Sequence, residues 1–456
     1  MKRNPYCGPL EQLAHDQGLD FYPVEFEVVP PSFMMEVAVY GFPVRMPHWS
    51  FGVRYIYQLV QHRMGHSKIF EVVFPGNPGR AYLANTNTIQ ENALVIAHVL
   101  GHADFSKNNL LFQRAQEQAG YHVVEQAAAH ALHIENAASA HGQKRVEMVL
   151  DAALALEQHI DDNQTLSRPP YPVHATVEDP PPAEGFRKRF ISLPGEALRK
   201  VSGHEHVHAP VPPHPEYDLL WFIAHYAPEM EDWERDIFLA VREESFYFYP
   251  VFSCQIMNEG WASYWHARLL REARFLPNDH YLDALRAHSD VVRPFAGEHE
   301  IALQINPYHL GFVLWDRLVE DRGLDKARRI MREEDDFSFV HNYLSEELAA
   351  ELGLFSYNAK RCGEIKVNDA DINAIREQIL SPRYHFGAPR IGVTQLRTDG
   401  TLDLKHDAIA DGRGLDSEYA RKVLEYVHCV WRRPIEMHTL DERNRETVIK
   451  VGIKSH

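Results

Sequence analysis

Cysteine is scarce in this chain, and long apolar runs are missing. Among 456 residues there are four cysteines, far apart and without a C-x-x-C pair: Cys7, Cys254, Cys362 and Cys429. Scattered cysteines are typical of a reducing compartment, where proteins are not held together by disulfides. No stretch reaches the roughly 18 apolar residues of a membrane span, and no apolar segment follows the basic residues near the start. The sequence therefore predicts a cytoplasmic location, no membrane partner and no secretion.

Positive charge is also in deficit. The 47 lysines and arginines are outnumbered by 64 aspartates and glutamates, which gives a formal net charge of −17. A nonspecific binder of phosphate backbones needs basic surface to release counterions, so no nucleic-acid partner is expected. The sequence also lacks a P-loop, a G-x-G-x-x-G fingerprint, a G-x-S-x-G elbow and an EF-hand loop. Kinases, NAD enzymes and serine hydrolases are therefore not indicated.

Histidine is abundant: the chain has 28, more than its 25 glycines. Imidazole is the commonest metal ligand in proteins and titrates near neutral pH. One group, His204, His206 and His208, lies in a Pro-rich stretch and is interpreted as a solvent-exposed loop rather than a metal site. The histidines on predicted helices are therefore the better candidates for chemistry.

The pattern of apolar residues predicts a mainly α protein with β structure near both ends. Residues 24–29 and 36–40 alternate as short strands do. Helical periodicity predicts a core over residues 60–355 that resembles a zincin-like metal-site bundle. The predicted segments are a β-containing N-terminal segment with the first helical half of the core (1–162), a Pro-rich connector (163–215), the second helical half (216–355) and a small α+β C-terminal domain (356–456).

Two histidines four residues apart form the first candidate site. His98 and His102 lie in the mostly apolar run Leu94–Phe105, where a helix would place both imidazoles on one face, able to bind one ion together. The spacing matches the zincin motif H-E-x-x-H, but Val99 stands where that motif has its general-base glutamate. Glu91 would lie on the same stripe, as a ligand or an outer partner. The alternative is a pair of core histidines hydrogen-bonded to neighbours.

The second candidate is the segment Met257–His266, in which Glu259 and His266 are two helical turns apart. A carboxylate and an imidazole that are buried together destabilise the fold unless they pair or coordinate an ion. Small residues would let this helix approach another helix closely: Gly260, Ala262 and Ser263. A plain hydrogen bond between glutamate and histidine is the alternative.

Together the two motifs predict a metal centre. His98, His102 and Glu259 would bind a divalent ion, with zinc expected, and His266 would be a fourth ligand or an orienting group. His130 could be a further ligand or outer partner, although a packing role is equally compatible with its alanine-rich surroundings.

The proton chemistry beside the ion is assigned to acidic residues. Glu243, Glu244 or Asp104 would shuttle the proton, since burial and a nearby cation tune carboxylates for that task. Surface ion pairing at i,i+4 spacing is the alternative for the two glutamates.

Several motifs, in order over most of the chain, resemble the stage V sporulation protein R family of SpoVR-like proteins. The matching segments are Tyr40–Gly52, Ala97–Phe105 with Asn108 and Asn109, Val146–Leu156, Met257–His266, His288–Pro294 and Ile305–Gly311. The chain departs from the family at Ser106, where an aromatic residue is expected, and in the insertion 163–215. The resemblance implies a bacterial cytoplasmic protein linked to spore cortex formation or stress physiology. It also implies a serine protein kinase, encoded alongside, as a partner.

The leading hypothesis is a metal-dependent hydrolase acting on peptide or amide bonds of cell-wall-related material. The first alternative is a non-catalytic regulatory or scaffold protein whose His/Glu cluster is structural. A di-metal oxidase, suggested by Glu91 with His98 and Glu259 with His266, ranks last because the usual Glu-x-x-His spacing is missing.

Overall fold

The computed structural model describes most of the chain. It covers residues 4–63, 71–120, 122–161, 215–293, 306–354, 357–359, 365–367, 371–441 and 443–452. The connector predicted for residues 163–215 lies outside the described residues up to residue 214, and so do His204, His206 and His208. Within the described ranges, no helix is long and apolar enough to cross a membrane.

Helices dominate, with short strands near both ends, which confirms the mainly α prediction. The helices are α1 (Cys7–Asp16), α2 (Pro31–Tyr40), α3 (Trp49–Arg63), α4 (Ile89–Asn108), α5 (Leu110–Ala119), α6 (Val123–His141), α7 (Gln143–Ala155), α8 (Leu219–Tyr226), α9 (Asp232–Ser253), α10 (Gln255–Glu272), α11 (Asn278–Val291), α12 (Pro307–Arg322), α13 (Leu324–Glu333), α14 (Asp336–Tyr343), α15 (Glu346–Glu351), α16 (Ile372–Leu380), α17 (Ala408–Asp411) and α18 (Ser417–Trp431). The strands are β1 (Val24–Val29), β2 (Glu71–Phe74), β3 (Gly79–Ala84), β4 (Tyr357–Ala359), β5 (Ile365–Val367), β6 (Ile391–Leu396), β7 (Leu402–His406), β8 (Ile435–Leu440) and β9 (Glu446–Val451).

One predicted strand is wrong. Residues 36–40 alternate like a strand but form the end of helix α2. Pro31 starts this helix with a backbone angle already suited to it, and Gly41 ends it in the left-handed conformation at φ 79°. These two signals outweigh the alternation of a five-residue run.

The chain divides into two compact units, each built from several stretches of sequence. Unit 1 comprises residues 1–44, 49–124 and 250–384, and unit 2 comprises residues 45–48, 125–249 and 385–456. The division into four consecutive segments stays a prediction.

Unit 1 contains a three-stranded sheet and a central helix. The strand order is β1-β3-β2, with β1 parallel and β2 antiparallel to β3. Helix α4 packs against α1, α10 and α11, and all its residues from 93 to 101 are buried. Because a helix buried on every side must be apolar around its circumference, a polar side chain in this run needs a partner.

Unit 2 contains a four-stranded sheet of order β6-β7-β8-β9. Strands β7 and β8 are parallel, and the two outer pairs are antiparallel. The parallel pair requires a crossover connection, which contains α18; this helix packs on α7 and β9. These strands and α18 agree with the α+β character predicted for the C-terminal part of the chain.

Small residues let three helices of unit 1 touch backbone to backbone. A Cβ atom added to Gly101 of α4 would lie 2.7 Å from the Cα of Ala262 in α10. One added to Gly260 of α10 would lie 2.3 Å from the carbonyl carbon of Gly311 in α12. Larger residues would force the helices apart, since a close-packed interior has no room to yield. The close approach predicted for the Gly260 segment is thereby confirmed.

Replacing one of these glycines is expected to destabilise the fold. Gly260→Ala should lower the free energy of unfolding by about 1–3 kcal/mol, because the added methyl group overpacks the contact with Gly311. Gly52 in α3 is the matched control, since a Cβ atom there would meet nothing within 4 Å. Gly52→Ala should leave stability unchanged or raise it by up to about 1 kcal/mol through helix propensity. Urea denaturation measures the free energy of unfolding of both variants, and equal changes in the two would contradict the packing argument.

Candidate metal centre

Two side chains of α4 and one of α10 converge inside unit 1. His98 and His102 are one helical turn apart, and Gly101 between them lies at the contact with α10. The Glu259 Oε2 atom lies 3.5 Å from His98 Nε2 and 3.3 Å from His102 Nε2. One ligand atom from each residue lies within 4.8 Å of the other two. The structure therefore brings together three of the four predicted ligands.

The donor atoms fit a divalent ion. Within the described part of the chain, His98 Nε2 and Glu259 Oε2 are buried and have no hydrogen-bond partner. Such atoms are rare, since each costs about 1–3 kcal/mol of lost hydration. Two ligand atoms that are each about 2.0–2.1 Å from a tetrahedral zinc ion lie about 3.3–3.4 Å apart. The observed 3.3 and 3.5 Å match that spacing, and two imidazoles with one carboxylate form a zinc-type ligand set.

Contacts on the far side of each ring turn the Nε2 atoms towards Glu259. His102 Nδ1 donates a hydrogen bond of 2.8 Å to Asn258 Oδ1, which places a proton on Nδ1. His98 Nδ1 lies 2.9 Å from His266 Nδ1. The ring of Tyr308 stacks on His98 with centroids 6.0 Å apart. Both imidazoles are thus oriented by their neighbours, as in metal sites whose ligands are fixed by outer partners.

His266 is the fourth predicted ligand, or an orienting group in the alternative prediction. Both of its ring nitrogens contact other histidines: Nδ1 contacts His98, and Nε2 lies 2.6 Å from Nδ1 of His288. Since both nitrogens are engaged in this way, the geometry corresponds to an orienting group.

Burial and mutual attraction set the protonation of the centre. Burial and the neighbouring His102 lower the pKa of His98 to about 4. Burial disfavours charge on His102 and Glu259 too, but their attraction outweighs it, so the pKa of His102 is raised and that of Glu259 is well below its usual range. Burial also holds the pKa of His266 well below that of free histidine. These shifts favour a charged Glu259 paired with His102 and a neutral His98.

Two further residues of the centre were missed by the sequence analysis. Glu71, at the start of β2, places Oε1 4.0 Å from His98 Nε2, and burial raises its pKa to about 7. Tyr308, in the first turn of α12, lies near Glu259, whose charge raises the tyrosine pKa well above its usual value. Tyr308 could have been found in the family-like segment Ile305–Gly311. Glu71 carries no sequence signal, because only the tertiary fold brings β2 to α4.

Asp104, a predicted proton shuttle, is bound on both carboxylate oxygens. The Asp20 backbone N–H donates to Oδ1, and the Trp261 indole N–H donates to Oδ2, each at 2.8 Å. These bonds tie α4 to α10 and to the segment before β1, and burial raises the pKa of Asp104 to about 6. The shuttle role stays a prediction.

Glu243 and Glu244, the other predicted shuttles, belong to unit 2. Their carboxylates lie on either side of His130, with Glu243 Oε2 3.3 Å from Nε2 and Glu244 Oε1 3.2 Å from Nδ1. Arg45 Nε donates to Glu244 Oε2 at 2.7 Å. Against the effect of burial, Arg45 and His130 lower the pKa of Glu244. Surface pairing, the alternative for these glutamates, is wrong because both are buried; their catalytic role stays a prediction.

Glu91, the possible outer partner, caps the start of α4. The Thr88 backbone N–H donates to Glu91 Oε2 at 2.7 Å, and the Glu91 N–H donates to Thr88 Oγ1 at 3.1 Å. This reciprocal capping box fixes where α4 begins. The Glu91 carboxylate therefore has a structural role at the start of the helix.

A second acid–histidine group lies in the sheet of unit 2 and consists of Asp403, Glu436 and His438. Arg397 contacts Asp403 at 2.6 Å and Glu436 at 3.0 Å, and Lys450 also binds Glu436. Since side-chain cations already neutralise these carboxylates, this group is a weaker candidate for a metal ion.

The pair His102–Glu259 predicts how the stability of the metal-free protein depends on pH. The raised pKa of His102 gives stability that is complete below the usual pKa of 6.5 and is lost as pH rises through the raised value. The lowered pKa of Glu259 gives stability that is present above 4.5 and is lost as pH falls. His102→Gln should therefore lower the free energy of unfolding by about 1–3 kcal/mol at about pH 5.5 and by less at about pH 9. Urea denaturation of chelator-treated protein measures this, and equal losses at both pH values would contradict the assignment.

Comparison with known proteins agrees with the motifs. The family model described as SpoVR like protein matches residues 5–387, which include both ligand-bearing helices. The "Uncharacterized protein YcgB" of Escherichia coli (strain K12) is 28% identical over 494 residues, with 98% of this chain and 92% of that protein covered. No solved structure matches. The extent of the family match shows that the chain belongs to the SpoVR-like family.

Proposed function

We propose that this protein is a metal-dependent hydrolase whose divalent ion, zinc, is held by His98, His102 and Glu259. The observation that carries the proposal is the convergence of three donor atoms: Glu259 Oε2 lies 3.5 Å from His98 Nε2 and 3.3 Å from His102 Nε2. Among the described residues, neither His98 Nε2 nor Glu259 Oε2 completes a hydrogen bond, and an ion bound to both atoms would satisfy them. Three protein ligands leave a coordination position for water or substrate, as catalytic zinc sites do.

The residues around His98, His102 and Glu259 have defined roles in this proposal. Bound zinc supplies Lewis acidity towards water and carbonyl oxygens. Glu71 accepts the proton of the attacking water at Oε1, which lies at the edge of the centre. The ring of Tyr308 stacks on His98 and helps to fix its orientation. Asn258 and His266 hold the two imidazoles.

Glu71 takes the place of the general base that the H-x-x-x-H motif lacks. In the zincin motif the base lies on the same helix as the histidines, and this chain has Val99 at that position. Here the carboxylate comes from strand β2. The comparisons do not support a zincin-like fold, so the proposal depends on the donor set and not on a shared architecture.

Peptide or amide bonds are the proposed substrates, because a two-histidine, one-glutamate zinc site with a carboxylate base suits acyl transfer to water. The link to cell-wall-related material comes from the family resemblance alone. A cytoplasmic location and a serine protein kinase partner are proposed from the same resemblance.

Metal content tests the proposal directly. Tag-free protein loaded with zinc and then desalted should retain about one ion per chain, as a mononuclear site requires. His98→Ala and Glu259→Gln should each retain less than about a tenth of that amount, because a ligand is lost. His280→Gln is the control, because this histidine of unit 1 hydrogen-bonds to Tyr6 and not to a proposed ligand.

Inductively coupled plasma mass spectrometry measures the metal, and circular dichroism confirms folding of each variant. A folded wild type that retains no zinc, manganese or iron would overturn the metal proposal and favour the scaffold alternative.

A substitution at Glu71 tests whether this residue is a general base or a metal ligand. Glu71→Gln should keep the zinc but lower kcat/KM by about 10²–10⁴-fold, the usual contribution of a general base. Turnover is measured by mass spectrometry on a peptide library that includes cell-wall stem peptides. The exposed Glu272, at the end of α10, gives the control Glu272→Gln. Loss of zinc from Glu71→Gln would identify Glu71 as a ligand instead.

A further inference from the structure

Three histidines from three helices form a chain that leads away from the metal centre. His98 Nδ1 lies 2.9 Å from His266 Nδ1, and His266 Nε2 lies 2.6 Å from His288 Nδ1. His98 is 2% exposed and His266 0%, whereas His288, on α11, is half-buried. The chain therefore connects a buried ligand to a ring near the surface.

The hydrogen bonds of this chain can run in only two directions. Each contact between two ring nitrogens needs one donor and one acceptor, and a neutral imidazole carries one of each. In the inward arrangement the protons lie on His98 Nε2, His266 Nδ1 and His288 Nδ1. In the outward arrangement they lie on His98 Nδ1, His266 Nε2 and His288 Nε2. Each ring carries one proton in both.

The occupant of the centre selects the direction. Without an ion, the Glu259 carboxylate 3.5 Å from His98 Nε2 attracts a proton to that nitrogen, which favours the inward arrangement. A ligand nitrogen must be free of its proton, so an ion on His98 Nε2 requires the outward arrangement.

We infer that His266 and His288 are positioning residues whose tautomers reverse together with that of His98 when the centre binds a divalent ion. This inference rests on the proposed metal site. The protons balance: His98 Nε2 releases one to solvent, and the proton between His98 and His266 moves to His98 Nδ1. The proton between His266 and His288 moves to His266 Nε2, and His288 Nε2 takes one from water. The occupancy of the buried centre is thereby transmitted to the outer nitrogen of His288.

Nitrogen NMR reads the tautomers directly. The full chain is labelled with 15N-histidine, and two-bond 1H–15N correlations are recorded at about pH 8 for chelator-treated and zinc-loaded protein. The variants His266→Gln and His288→Gln assign the signals. His266 should carry its proton on Nδ1 without zinc and on Nε2 with zinc, because a neutral ring has one N–H and its direction is set by its partners. An unchanged tautomer in protein that binds zinc would overturn this inference alone.

Zinc affinity, measured by chelator competition, gives a second readout. His288→Phe removes the acceptor for His266 Nε2 and should weaken zinc binding about 10-fold, the lower end of the effect of losing an outer partner. His288→Asn can supply an amide oxygen in that place and should restore affinity to within about 3-fold. His280→Phe, on the same helix but bonded to Tyr6, is the control and should leave affinity unchanged.

Equal affinities of His288→Phe and wild type would contradict the role of His288. A folded wild type without zinc affinity would instead show that the metal site itself is wrongly proposed, and this inference would fail with it.

Discussion

The closest approach of α4, α10 and α12 is the constraint on which the candidate centre depends. Gly101 meets the backbone of α10, and Gly260 meets Gly311 of α12, at distances that exclude any side chain. The residues of the centre are neighbours of these contacts: Glu259 directly precedes Gly260, and Tyr308 lies one turn before Gly311. Because the helices touch at the glycines, the side chains beside them can meet across the interface. Packing and chemistry are therefore specified by the same short segments.

Buried glutamates have different kinds of partners in the two units. In unit 2, Glu244 is bound by both His130 and Arg45, so its charge is compensated by protein groups. In unit 1, the Glu259 Oε2 atom and His98 Nε2 lie close together without completing a hydrogen bond. A fold normally avoids such an arrangement, because polar atoms that lose water must find a partner. The charge of Glu259 is matched by His102, 3.3 Å away, whereas His98 Nε2 completes no hydrogen bond among the described residues.

Sequence analysis could predict the mainly helical fold and the three side chains that the structure brings together, because each of these side chains belongs to a distinctive helical motif. The four-residue interval between His98 and His102 defines a helix face, and the small residue after Glu259 predicts a close helix contact. Glu71 could not be predicted in the same way, since only the pairing of β2 with β3 places it beside α4. The wrong strand at residues 36–40 shows the limit of periodicity in short runs, where capping residues decide. The sequence thus identifies the candidate side chains on each helix, whereas the position of Glu71 beside α4 is known only from the structure.

The order of the units along the chain has a consequence for synthesis. The residues of unit 1 are interrupted by residues 125–249 of unit 2, and Asn258, which orients His102, follows it by 156 residues. At about 5–20 residues per second, α4 leaves the ribosome roughly 10–30 s before α10 is complete. During that interval the apolar α4 has neither its central packing partner nor its carboxylate. The nascent chain therefore passes through a stage in which this segment is open to chaperones, and truncated products that end before α10 would be prone to aggregation.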